Sequence, residues 1–386
     1  MYLNRKSEVK LKDLLSKYPV TAIIGPRQCG KSTLAKHLLQ TIKESIYLDL
    51  ERPSDFTKLI DPEFFFNSQN KKLICINEVQ RKPGLFQVIR STIDEWGKNG
   101  KFLLLGSASR DLLNKSSETL AGRIAYLTLT PFQWGELTDN ISLHTYFSAG
   151  GFPKSILAGN ENESFEWREN FITTFLERDL RQWAGFSPMS MRRLWQMLAH
   201  YNGQTVNYSA LGNSLGLSHV TIKHYIDLLQ DTFMIYALPP YVSNAGKRLV
   251  KAPKVYIADS GITAALLGLL NFEQMAGHPN FGAFWEQITI SQLKAVFPDA
   301  SFFHYRTSNG AEIDVVMKLR DKIIAVECKA TMSPTLSKGN YLALDDIQPD
   351  IAFVSAMVKE GWDLKKKIKI VSLDELISGI SKFIKR

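Results

Sequence analysis

Two adjacent stretches decide the fold: VTAII at residues 20–24 and GPRQCGKS at residues 25–32. The first is β-branched and apolar and reads as a buried strand. The second satisfies G-x-x-x-x-G-K-[ST] at every position, and a helix from Lys31 to about Gln40 follows it. Glycines let the backbone N–H groups wrap a β-phosphate, with the helix N-terminus behind it. Lys31 would reach the β- and γ-phosphates, and the Ser32 hydroxyl would ligate Mg²⁺. Gly25, Pro26, Arg27, Gln28, Cys29, Gly30, Lys31, Ser32 and Thr33 are therefore the nucleotide-contacting candidates.

Working outward, four more strand-like runs follow: 46–50, 72–76, 101–105 and 123–129. Helical patterns fill the gaps, notably Leu85 to Trp96, and this alternation predicts a parallel, doubly wound sheet. The run LICI leads into Asn77-Glu78, at the end of a buried strand where a metal and water partner belongs. An aspartate at 77 would orient Mg²⁺ through its water shell with a full charge. Asparagine accepts a hydrogen bond but brings no charge. A harmless variant and a weakened catalyst both fit that residue. Glu78 is the expected water-activating base. Ser107, after LLG at the end of the fourth run, is placed to sense a γ-phosphate. Arg110 and Arg123 are candidates for a charge-stabilising arginine, in cis or from a neighbouring subunit, beside the plain alternative of a surface ion pair.

Three helix candidates follow a helical section at 164–183: Met191 to His200, Tyr208 to Leu215 and Ser218 to Gln230. Two strand-like runs, Phe233 to Ala237 and Lys254 to Ala258, bracket a basic loop. Three helices and a hairpin make a winged-helix pattern. Its recognition-type helix would present His219, Thr221 and Lys223 to a major groove, with Val220, Ile222 and Leu228 partly in the core. The loop 244–248 and Lys251 would form a basic wing for phosphate; an interdomain packing module is the alternative.

Near the C-terminus, a helix from Phe284 to Lys294 precedes a hairpin of Ala311 to Lys318 and Lys322 to Cys328. Centring its turn between Arg320 and Asp321 pairs Asp314 with Glu327 on one face. Lys329 and Glu312 share that face, and Glu286 could approach it from the helix. Such carboxylates bind Mg²⁺, and a lysine beside them steadies water or phosphate. Asp314 and Glu327 are thus metal candidates, and Asp314, Glu327 and Lys329 catalytic ones; a fold kept only for structure is the alternative.

The 386 residues suit two or three domains, and 45% hydrophobic with 22% charged residues excludes a mainly disordered or collagen-like chain. We divide the chain at 1–140, 141–186, 187–276 and 277–386. Lys and Arg number 47 against 38 Asp and Glu, a net charge of +9 that suits a polyanionic partner. Three scattered cysteines, a charged N-terminus without an apolar run and no long apolar segment predict a cytoplasmic protein with no membrane association.

GPRQCGKS, YLDLERP (47–53), INEVQRKPGLF (76–86), LLGSASRDLL (104–113), LAGR (120–123), GGFP (150–153) and FLERDL (175–180) resemble the bacterial and archaeal AAA-family ATP-binding proteins. HYRTSNGAEIDVV (304–316) and AVECKA (325–330) resemble the C-terminal domain of unknown function in that group, itself similar to restriction-endonuclease folds. The resemblance implies an α/β protein: a P-loop NTPase parallel-sheet domain, a winged-helix middle and a restriction-endonuclease-like tail. It implies ATP and Mg²⁺ as ligands. Gly30, Lys31, Ser32 and Glu78 carry over as nucleotide residues, and Asp314, Glu327 and Lys329 as the nuclease-like cluster. The leading expectation is an ATP-dependent switch acting on DNA, within a homo-oligomer in one version. The alternatives are a Mg²⁺-dependent nuclease gated by ATP and a non-enzymatic, ATP-bound interaction protein.

Overall fold

A computed structural model of the chain describes residues 2–106, 119–137, 141–180, 187–242 and 250–385. The chain forms two compact units, Met1–Phe132 with Asp231–Phe233, and Gln133–Gln230 with Met234–Arg386. The expected segments 141–186 and 277–386 fall in the second, as does 187–276 apart from Asp231–Phe233.

In the first unit, five strands alternate with helices. They are β1 (Val20–Ile24), β2 (Ser45–Asp49), β3 (Leu73–Asn77), β4 (Phe102–Leu105) and β5 (Ile124–Thr128). Their order in the sheet is β2-β3-β4-β1-β5, and every pairing is parallel. All residues of β1, β3 and β4 are buried, which is why these strands read as continuous apolar runs. Helices α1 (Ser7–Lys17), α2 (Lys31–Gln40), α3 (Pro53–Lys58), α4 (Pro62–Ser68) and α5 (Leu85–Trp96) also belong to the unit. Two cores result. Ile74, Ile76, Phe86, Ile89 and Phe102 belong to one, and Leu11, Ile23, Leu34, Leu38 and Leu103 to the other. The alternation of side chains along each strand sends neighbours to opposite faces.

The second unit contains a helix, Glu161–Thr174, that runs into a π-helical turn, Phe175–Asp179. Then come helix Pro188–His200, β6 (Gln204–Thr205), helices Tyr208–Leu215 and His219–Asp231, β7 (Ile235–Leu238) and β8 (Lys254–Ile257). β7 and β8 pair antiparallel, and β6 joins β8 on its other edge. The strand predicted from Phe233 begins two residues later, because Phe233 sits in the left-handed region at φ 61° and cannot extend β7. Ile222 and Leu228 are buried as expected, but Val220 is 63% exposed and takes no part in the core. The basic loop 244–248 lies outside the described residues.

Helix Phe281–Val296 leads into a six-stranded mixed sheet. Its strands are β9 (Ser301–Arg306), β10 (Glu312–Leu319), β11 (Lys322–Lys329), β12 (Ile351–Ala356), β13 (Trp362–Lys365) and β14 (Ile368–Val371), in the order β13-β14-β12-β11-β10-β9. The middle of that helix, residues 284–290 with Gln292 and Leu293, is buried, so its polar groups need partners. Gln287 Nε2 donates to the Ile257 carbonyl at 2.9 Å, and Trp285 Nε1 to that of Ser355 at 2.9 Å. The β10–β11 register, with Val315 opposite Val326, is the one that the predicted turn requires. Arg320 makes that turn at φ 56°. Among the described residues, no helix is long and apolar enough to cross a membrane.

Candidate functional sites

The loop between β1 and α2 lies at the C-terminal edge of the parallel sheet, where ligands of open α/β sheets bind. Gly25 has φ 147°, and a Cβ there would stand 2.1 Å from the Leu129 carbonyl oxygen, so only glycine fits. Gln28 at φ 60° and Gly30 at φ 102° bring left-handed turns into the loop, the backbone arrangement that aims N–H groups at an anion. Pro26 and Cys29 are buried, while Gln28 and Thr33 face outward. Arg5, which the sequence reading passed over, braces the loop from α1's side. Its guanidinium donates to the carbonyls of Cys29 at 3.1 Å and Thr130 at 2.8 Å and lies over the Phe132 ring.

Lys31 is buried. Its ammonium donates to the Gly25 and Pro26 carbonyls at 3.0 and 2.7 Å and forms no ion pair among the described residues. A buried cation held only by neutral oxygens is costly unless an anion joins it. Ser32 Oγ donates to Asn77 Oδ1 at 3.1 Å. Asn77 Nδ2 donates in turn to Asp49 Oδ1 at 3.2 Å. Register explains the meeting, since Asp49 of β2 pairs with Asn77 of β3. Asp49 was inside the quoted YLDLERP stretch, but nothing in its spacing announced this contact. Nearby, burial pushes the Tyr47 phenol up to about 12.

Glu78 follows Asn77 in the left-handed region at φ 55°, a strained conformation for a residue with a Cβ. Burial raises its carboxyl above the usual range; Lys31 and a hydrogen bond from Gln80 oppose the rise. Ser107 and Arg110 lie outside the described residues. Arg123 corrects one expectation. It immediately precedes β5, whose Ile124 pairs with Val20, so it stands at the N-terminal edge of the sheet, opposite the loop. There it forms a two-pronged pair with Asp94, at 2.6 and 3.1 Å. The in-cis catalytic role is therefore set aside.

In the second unit the hairpin brings Asp314 and Glu327 together: the Asp314 N–H donates to Glu327 Oε2 at 3.4 Å. Glu286 reaches the same neighbourhood, but through a residue not expected there. Lys254, at the start of β8, is 3% exposed. Its Nζ lies 3.1 Å from Glu286, 3.0 Å from Glu312 and 3.2 Å from Asp314. Lys329 pairs with Glu327 at 2.7 Å. Burial opposes the charge on Lys254, yet Glu286, Asp314 and Glu312 together hold its ammonium well above the ordinary value. Burial, and then Asp314, pushes Glu286 up to about 7 and Glu327 up to about 8. Among the described residues, no group of three or more His, Cys, Asp or Glu is arranged to hold a metal ion. In this arrangement the Lys254 ammonium occupies one oxygen of Asp314 and the Lys329 ammonium one oxygen of Glu327.

Comparison with known proteins extends these observations. The chain is 36% identical over 345 residues to an uncharacterized protein of Mycobacterium tuberculosis, a match spanning 89% of this chain and 78% of that one; an uncharacterized Mycobacterium bovis protein matches equally. The chain belongs to their family. Residues 17–138 match the AAA domain, 140–273 a domain of unknown function (DUF8612) and 281–376 a second domain of unknown function (DUF4143). An uncharacterized Haemophilus influenzae protein is 24% identical over 281 residues, 64% of this chain and 69% of that one. Among solved structures, a Walker-type ATPase of Pyrococcus abyssi is similar with a TM-score of 0.48 and 16% identity, over 69% of this chain and 96% of that one. The AAA match spans β1 to β5, and the first unit has the AAA-like P-loop fold.

Proposed function

We propose that the first unit binds ATP with Mg²⁺ and hydrolyses it. The observation that carries this reading is the buried Lys31 ammonium, poised on the loop carbonyls and in no close ion pair among the described residues. The oxygen donors fit the metal: a serine hydroxyl and an amide oxygen suit hard Mg²⁺. Gly25 through Thr33 would hold the triphosphate, Lys31 its charge, and Ser32 and Asn77 the ion. Bound Mg²⁺ would neutralise charge that develops on the transferring phosphoryl group. Glu78, whose burial raises its proton affinity, would orient water and accept its proton.

We extend the proposal to a nucleic-acid task. The motive is the order of helix, short strand, two helices and hairpin over 188–257, which suits the expected winged helix. His219, Lys223 and His224 are exposed along the third helix, and Ser218 caps it by accepting from the Thr221 N–H at 3.1 Å. Mg²⁺-dependent phosphate release tests the proposal. The wild type should release phosphate from ATP, and Lys31→Ala and Glu78→Gln should not. Equal release by all three would refute it. For the nucleic-acid task, duplex DNA affinity should fall steeply with salt.

A further inference from the structure

The third position of the Ser32–Asn77–Asp49 chain carries the charge that residue 77 lacks. A carboxylate only accepts hydrogen bonds, so Asp49 compels Asn77 to turn its NH₂ group inward and its oxygen toward Ser32. Asp49 Oδ1 also accepts the Glu51 N–H at 3.1 Å, which fixes the carboxylate, and the Asp49 backbone N–H donates to Asp55 Oδ2 at 3.0 Å, which fixes the main chain that carries it. Asp55 is itself anchored by Lys58 at 2.8 Å. Asn77 is 7% exposed and has little room to reorient.

We infer that Asp49 is the acidic positioning residue of the Mg²⁺–nucleotide site. The negative charge lies one strand sideways from residue 77, at the paired position on β2. Asn77 links it to the Ser32 hydroxyl. The inference rests on the nucleotide reading above and names a residue that reading does not require. Through this link, Asp49 strengthens the site's hold on the cation and leaves its hold on the phosphates alone.

The experiment compares nucleotide affinity in excess Mg²⁺ and in EDTA, by titration calorimetry with a non-hydrolysable ATP analogue. Asp49→Asn should lose the Mg²⁺-dependent gain by about tenfold, the size of one charge-assisted hydrogen bond. Its affinity in EDTA should match the wild type. Moving the charge back to β3, in Asp49→Asn/Asn77→Asp, should restore the gain. Asn77→Asp alone, which keeps both carboxylates, should lower the Mg²⁺ concentration needed for half-maximal gain. An unchanged gain in Asp49→Asn, equal losses with and without Mg²⁺, or a double variant that stays defective would each overturn the inference. Should Asp49→Asn not fold, an unchanged Mg²⁺ requirement in Asn77→Asp would overturn it. A wild type that binds no nucleotide in either buffer would instead refute the function proposed above.

Discussion

Replacing Lys254 by methionine removes an ammonium from among three carboxylates while nearly keeping the volume. Lys254 is 3% exposed, and the side chains of Glu286 and Asp314 are 12% and 13% exposed. Removing one partner of such a buried group leaves uncompensated charge, at a cost of about 3–5 kcal/mol. The penalty should depend on pH. Burial already pushes Glu286 up to about 7, and losing Lys254 raises it further. A carboxyl whose folded value exceeds its unfolded one loses stability as pH rises through the folded value. The variant should therefore be weakest at pH 8, where Glu286 is more charged, and recover much of its deficit at pH 5.5. Urea unfolding followed by the fluorescence of Trp195 and Trp285, both fully buried in this unit, measures it. A loss below about 1 kcal/mol at pH 8, in the range of an exposed pair, would refute the reasoning. So would equal losses at both pH values.

Gly25→Ala should prevent stable folding of the first unit, because its Cβ would overlap the Leu129 carbonyl; a soluble variant with wild-type melting would contradict this. Glu327, pushed up to about 8 chiefly by burial, should make the wild type lose stability between pH 5 and 8; Glu327→Gln should flatten that part of the profile, as melting curves across the range would show. Arg123→Ala breaks a partly exposed pair and should cost about 1 kcal/mol or less by urea unfolding, with ATP affinity unchanged.

The parts visible in the sequence were those written in contiguous residues. A glycine loop between an apolar strand and a helix admits few structures, so β1, the loop and α2 were readable together. The hairpin register followed from alternation and a central turn, which places Asp314 beside Glu327. Lys254 was invisible as a partner because 60 residues separate it from Asp314. In sequence it opened a strand-like run beside a basic loop, with no carboxylate next to it to suggest a partner. Asp49 and Asn77 meet only through the pairing of β2 with β3, and no local pattern distinguishes that carboxylate from its neighbours Glu51 and Asp55. Arg123 misled for the complementary reason: its motif is distinctive, but strand direction carries it to the edge of the sheet opposite the loop. The charge surplus also changes meaning. Lys254, Lys31 and Arg5 are buried cations committed to carboxylates or loop carbonyls.

The central claim is that the loop at 25–32 holds nucleotide through Lys31. Titration calorimetry of the full chain with ATP and Mg²⁺ tests it most directly. The account predicts saturable binding at one site per chain, weakened at least about tenfold in Lys31→Ala, the loss of a charged hydrogen bond to phosphate. Wild-type affinity no greater than that of Lys31→Ala would contradict it.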